Sequence, residues 1–139
     1  MKFWIRLLTA TADKLDTLIE KEDDAIERVA LDVFGNTAAQ CREILRLTEN
    51  KRRLIKLQVL YGRLEAGLPE DAFSLLVRYG RGASLSELAD ALSIHRQTVY
   101  KRLNAACKAA ARLLAADKVT PETLAEEYDN MLPLPLSIK

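Results

Sequence analysis

Apolar positions recur at helical spacing along nearly the whole chain. Over residues 8–33 they predict one long amphipathic helix with acidic side chains on its other faces. Gly35 and Asn36 interrupt this pattern, and Thr37 can cap the helix that follows. The next helix has apolar residues at near-heptad spacing: Ile44, Leu47, Leu54, Leu57, Tyr61, Leu64 and Leu68. Residues 1–67 are therefore predicted to form a long helical hairpin.

The apolar stripes of this hairpin need a partner, because two helices of this length cannot cover them alone. One interpretation is self-association, with a dimer favoured, which makes residues 1–67 an oligomerisation region. The alternative is that the hairpin folds back over residues 70–113 and forms one monomeric bundle. The sequence leaves both open.

After Gly67 the apolar pattern predicts shorter helices. Pro69 suits the first position of a helix and Glu70 suits its positive end, so a supporting helix is predicted there. Two further helices follow around a tight turn, with these apolar positions: Leu85, Leu88, Ala89, Leu92, Ile94, Val99 and Leu103. Ser84 and Glu87 have the spacing of a capping box at the start of the first. Residues 68–116 are predicted to be a helix-turn-helix domain.

The second helix of this pair has one polar face. Its recognition segment covers about residues 95–104, and the whole helix extends to about Ala116. The long or planar side chains suited to base edges in a major groove are Arg96, Gln97, Tyr100 and Lys101. The predicted phosphate contacts come from Arg81, Ser84, His95, Thr98 and Arg102. Ala89 is predicted at the closest approach of the two helices.

This stretch resembles the region 4 helix-turn-helix of bacterial sigma-70 factors and of related phage-type transcriptional regulators. The resemblance covers roughly residues 68–113 and rests on Leu68-Pro69-Glu70, on residues 84–89 and on residues 94–99. Two positions depart from the family pattern. Ser93 stands where the family usually has Gly, so a left-handed backbone there would cost about 1 kcal/mol. His95 stands where the family usually has a Ser-type cap.

Composition favours an all-α fold, since the chain has only 5 Gly and 4 Pro among 139 residues and 49% hydrophobic residues. The net charge of +1 is unevenly distributed. Residues 1–35 carry −3, residues 36–77 carry +2, residues 78–112 carry +5 and residues 113–139 carry −3. The positive maximum coincides with the predicted helix-turn-helix, as phosphate contacts require.

Other chemistry has little support in the sequence. Cys41 and Cys107 are distant in sequence and only His95 could join them, so no metal site is expected and both cysteines are predicted to be buried. No cofactor or enzymatic activity is expected, because no nucleophile motif or glycine-rich phosphate loop is present. No secretory or membrane-spanning segment is evident, and a cytoplasmic location is expected.

The sequence thus predicts a sequence-specific regulator of transcription that binds double-stranded DNA. Residues 117–139 add a short helix to about Met131 and a tail over 132–136 that Pro133 and Pro135 keep from being helical. A complete sigma factor is not expected, since 67 residues are too few for a promoter-melting domain. One alternative is a phage DNA-packaging subunit like a small terminase, which ring-forming stoichiometry would favour. Another is a helix-turn-helix that binds RNA polymerase or a sigma factor.

Overall fold

The protein is all-α. The computed structural model describes residues 2–129, and within that range it has six helices and no strand. They are α1 (Lys2–Ala30), α2 (Thr37–Gly67), α3 (Glu70–Gly80), α4 (Leu85–Leu92), α5 (Arg96–Ala116) and α6 (Pro121–Asp129). The predicted tail at 132–136 and the predicted helix end at Met131 lie outside the described residues. No helix in the described range has the length and apolar character needed to cross a membrane.

Three helix starts differ from the sequence prediction. α1 begins at Lys2, so it adds a further turn and a half in which Ile5 is buried. The cap of α2 is Asn36 rather than Thr37: the Asn36 side chain accepts a hydrogen bond from the backbone N–H of Ala39 at 3.0 Å. Pro69 precedes α3 as its N-cap residue instead of being its first helical residue.

One hydrophobic core joins all six helices. The most extensive helix–helix interface is between α1 and α2, and α1 also packs against α3, α5 and α6. The buried residues of α1 lie between Ile5 and Leu15 and those of α2 between Leu47 and Leu64, so the far ends of both helices lie outside this core. The described chain therefore folds back over its C-terminal helices. Self-association stays a prediction, because a single chain does not test it.

Helices α1 and α3 approach each other closely at Thr9 and Gly80. Thr9 is 1% exposed, and its hydroxyl donates to backbone carbonyls of its own helix, at 3.1 Å for Ile5. Opposite it is the buried Gly80, where an added Cβ would be 2.0 Å from Thr9 Oγ1 and 2.7 Å from Thr9 Cβ. Only a residue without a side chain permits this approach of the two helices.

Helix α6 is held to the bundle by an ion cluster and an aromatic stack. Glu127 accepts from Arg53 at 3.0 Å and from Lys56 at 2.8 Å, both on α2. Tyr128 stacks on Trp4 with ring centroids 5.8 Å apart, and burial raises the pKa of Tyr128 to about 12. Both contacts tie the end of the described chain to its first two helices.

We expect Gly80→Ala to lower the free energy of unfolding by about 1–3 kcal/mol, because the new methyl group overpacks the crossing with Thr9. Gly62→Ala is the matched control. A Cβ at Gly62 meets nothing within 4 Å, so this variant should gain about 0.5–1 kcal/mol from helix propensity. Urea unfolding followed by circular dichroism measures both. Equal effects of the two substitutions would contradict the proposed crossing.

The pH dependence of the stability of Glu127→Gln tests the ion cluster. Burial is the largest single influence on Glu127 and raises its pKa, but the hydrogen bonds and charges of Lys56 and Arg53 outweigh burial and hold the pKa below the ordinary 4.5. A lowered folded-state pKa stabilises the fold above about pH 4.5, and this stabilisation is lost as the pH falls through the folded value. The stability difference between wild type and Glu127→Gln, measured by denaturant unfolding at a series of pH values, should therefore shrink in acid.

Candidate nucleic-acid interface

Helices α4 and α5 are joined by a three-residue turn whose geometry is set by Ser93. Its φ of 54° and ψ of 42° place it in the left-handed region. The backbone N–H of Ile94 donates to the Ala89 carbonyl at 3.1 Å and that of Ser93 to Asp90 at 3.3 Å. These paired bonds form a Schellman motif, which ends α4 and directs the chain into α5.

The two helix starts are capped differently. The Ser84 hydroxyl accepts from the Glu87 backbone N–H at 3.1 Å, so the Ser84 half of the predicted capping box is confirmed. His95 is the N-cap residue of α5, has extended backbone and makes no capping bond with its side chain. Its imidazole is exposed at the start of α5 and is available to a ligand.

The solvent face of α5 is basic along most of the helix. Gln97, Lys101, Lys108 and Arg112 follow each other at spacings of four or seven residues and are all exposed, whereas Val99 and Leu103 face the core. Within residues 2–129, no ion pair involves Lys101, Lys108 or Arg112, although many other cations of the chain are paired. This face therefore offers positive charge that no internal carboxylate neutralises.

Three of the predicted base-edge residues lie together. Arg96, Gln97 and Tyr100 line one shallow depression at the start of α5, together with Leu85 of α4. Tyr100 is 50% exposed, so its ring is accessible from solvent. Lys101 lies one turn beyond Gln97 on the same face. The first two turns of α5 thus present two cations, an amide and an aromatic ring together.

Lys2 of α1 also reaches this surface, which the sequence did not indicate. Its ammonium lies 5.1 Å from the centroid of the Tyr100 ring and donates to Asn104 Oδ1 at 3.2 Å. Tyr100 therefore lies beside the start of α1. No local pattern predicts this contact, because it joins residues about a hundred positions apart. Lys108 and Arg112 were also not among the predicted site residues. Their helical spacing from Lys101 could have indicated that they share its face.

The predicted phosphate-binding residues are more scattered. Arg81 forms an ion pair with Asp13 of α1 at 2.8 Å. Arg102 points about 100° round α5 from Lys101 and lines a separate groove with Pro69 and Asp71. Thr98 is half-buried, whereas Ser84 and His95 are exposed at helix starts. The structure does not bring Arg81 and Arg102 together with the base-edge candidates.

The two cysteines differ in their exposure to solvent. Cys107 is buried in α5, and burial raises the pKa of its thiol. The prediction that Cys41 is buried is wrong: Cys41 lies exposed on the outer face of α2, opposite the face that packs on the core. In the part of the chain that the structure describes, no three His, Cys, Asp or Glu residues are placed to hold a metal ion.

No protein-family model, curated protein or solved structure matches this chain.

Ser93→Gly should raise the free energy of unfolding by about 1 kcal/mol, because glycine adopts the left-handed backbone without strain. Lys118 is a matched site: its φ is 62° and it ends α5 through the same pair of backbone bonds, so Lys118→Gly should stabilise similarly. Ser86→Gly, inside α4, should instead destabilise by about 0.5 kcal/mol. Denaturant melts measure all three, and a destabilising Ser93→Gly would contradict this turn geometry.

Proposed function

We propose that the protein is a sequence-specific regulator of transcription that binds double-stranded DNA through the exposed face of α5. The observation that carries this proposal is the set of uncompensated cations on that face, beside the planar polar groups of its first two turns. DNA recognition needs both properties on one element, since charge attracts the phosphates and planar donors discriminate bases. A short helix and a tight turn immediately before α5 agree with the docking geometry of a helix-turn-helix.

Each side chain has a role that its chemistry suits. Arg96 and Lys101 donate to guanine O6 and N7, and the Gln97 amide pairs with adenine, each for about 1–3 kcal/mol of discrimination. Tyr100 contacts a thymine methyl group or stacks on a base. The Lys2 ammonium lies over its ring and supports it in this position. His95 and Thr98 contact the DNA backbone at the start of α5. In this scheme α5 lies in the major groove with its N-terminal turns deepest.

We propose phosphate contacts that differ in part from those expected from the sequence. Lys108 and Arg112 continue the face of Lys101 and take up backbone phosphates further along the groove. Arg81 can bind a phosphate only if its ion pair with Asp13 breaks. Arg102 serves a phosphate on the side of the groove that faces α3. Self-association, a cytoplasmic location and contact with RNA polymerase belong to the same proposal.

Binding of selected duplexes tests the proposal. A random-sequence pool is enriched on the purified protein, and the affinity for the enriched duplex is measured by fluorescence anisotropy across a salt series. We expect Arg96→Ala/Lys101→Ala to lose the preference for the enriched sequence, because base contacts carry it. Lys108→Ala/Arg112→Ala should weaken all duplexes alike and reduce the salt slope by about two.

The matched control is Arg28→Ala/Arg42→Ala, which removes two exposed cations far from α5. It should leave preference and affinity near the wild-type values. If the control weakens binding as much as Arg96→Ala/Lys101→Ala does, the proposed face is wrong. If the wild type binds no duplex at low salt, the protein is not a DNA-binding regulator, and a partner such as RNA polymerase or a sigma factor becomes the candidate ligand.

A further inference from the structure

The first turns of α1 carry positive charge and no negative charge. Residues 2–12 include Lys2 and Arg6 and no carboxylate, although the same helix is acidic from Asp13 onward. Lys2 and Arg6 are four residues apart, so they lie on one face of the helix. The cationic end of α1 is also the end that lies beside α5, because Lys2 reaches Tyr100 there. The fold therefore brings a further pair of cations to the surface proposed to bind DNA.

Neutral groups hold both of these cations. The Arg6 guanidinium carbon lies 4.2 Å from the centroid of the Tyr79 ring, and Arg6 Nη1 donates to the Tyr79 hydroxyl at 3.4 Å. The Lys2 ammonium lies 5.8 Å from the centroid of the same ring and 5.1 Å from that of Tyr100, and it donates to Asn104 Oδ1 at 3.2 Å. Aromatic rings and an amide orient a cation without cancelling its charge. No ion pair in the described part of the chain involves either cation.

Two like charges at one aromatic ring favour the binding of an anion, because the anion relieves their mutual repulsion. Elsewhere the chain neutralises such a pair itself, since Arg53 and Lys56 share Glu127. Arg6 Nε, in contrast, is buried with no hydrogen-bond partner among the described residues. The Lys2 ammonium has three N–H donors, of which its amide partner takes one. This end of α1 therefore has both charge and donors to offer an anionic oxygen.

The position of Lys2 relative to α5 indicates which anion it meets. Tyr100, Lys101 and Arg102 are consecutive, so their side chains point about 100° apart round the helix. Lys101 lies on the exposed face, with Tyr100 and Lys2 on one side of it and Arg102 on the other. The major groove is about 12 Å wide, and a helix inside it has the phosphates of one strand on each side. Lys2 and Arg102 therefore flank α5 as the two strands of a duplex would.

We infer that Lys2 binds a backbone phosphate of the DNA strand on the α1 side of the groove, with Arg6 adding positive potential behind it, while Arg102 binds the opposite strand. The inference rests on the proposed DNA binding by α5 and adds the start of α1 to that interface. Lys2 supplies this contact without breaking an ion pair, unlike Arg81, which Asp13 holds.

The salt dependence of binding tests the role of Lys2. On the enriched duplex, we expect Lys2→Gln to weaken binding about five- to tenfold at about 0.1 M salt and to reduce the salt slope by about one, because one phosphate contact is lost. The preference for the enriched over a random sequence should keep its wild-type value, since phosphates carry no sequence information. Lys2→Arg retains the charge and should restore the slope.

Lys21→Gln is the matched control. It removes the same charge from an exposed position on the same helix, about 28 Å along the axis from Lys2, and it should leave the salt slope unchanged. Equal losses in Lys2→Gln and Lys21→Gln would show an effect of net charge alone and overturn the inference. A changed sequence preference with an unchanged slope would also overturn it, because Lys2 would then act by positioning Tyr100.

Ethylation interference tests the two sides of the groove. Ethylating single phosphates of the enriched duplex identifies those that the wild type contacts. We expect Lys2→Gln to lose sensitivity to ethylation at a phosphate of one strand and Arg102→Gln at a phosphate of the other. The arrangement is wrong if both variants lose sensitivity on the same strand, or if Lys2→Gln loses none.

The proposed function and this inference fail in different ways. If the wild type binds no duplex at low salt, both are wrong. If the wild type binds the enriched duplex and Lys2→Gln retains the wild-type salt slope, DNA binding by α5 stands and only the role of Lys2 is wrong.

Discussion

The close approach of α1 to α3 is the constraint on which the rest of the structure depends. At the Thr9–Gly80 crossing the Thr9 side chain packs directly on the bare backbone of Gly80, and this lets Ile5 and Leu8 reach the core that α5 shares. A wider crossing would separate the hairpin from the helices that follow it. The same contact places Lys2 beside Tyr100, so the composition of the candidate surface depends on a glycine in another helix.

Helix ends are the second organising feature, because α3, α4 and α5 all end in the same backbone motif. Only the first of the three has glycine at its left-handed residue, Gly82, whereas Ser93 and Lys118 adopt this backbone with a side chain present. The strain is about 1 kcal/mol at each. Core packing of the flanking helices outweighs that cost, since Leu88, Val99, Leu103 and Leu114 are almost fully buried around these turns.

Local features of the fold could be predicted from the sequence, and long-range ones could not. The inward stripe of α2, the Ser84 cap and the left-handed Ser93 each leave a signal within a few residues. The Glu127 cluster and the Lys2 contact do not, because their partners lie at least 70 residues away in the chain. Cys41 was misplaced because the prediction rested on the lack of a metal-ligand spacing, which does not say which side of α2 the core covers.

The continuity of α5 bears on the energetics of the DNA binding that we propose. Its polar face and its buried face run side by side along one unbroken helix of 21 residues, with Val99 and Leu103 fully buried near the start and Ala110 and Leu114 fully buried at the far end. Core packing along the whole helix therefore fixes the backbone that carries Gln97 and Lys101, while their side chains stay exposed. In the proposed binding mode no loop or linker has to become ordered, so the entropic cost of binding would fall on the side chains themselves.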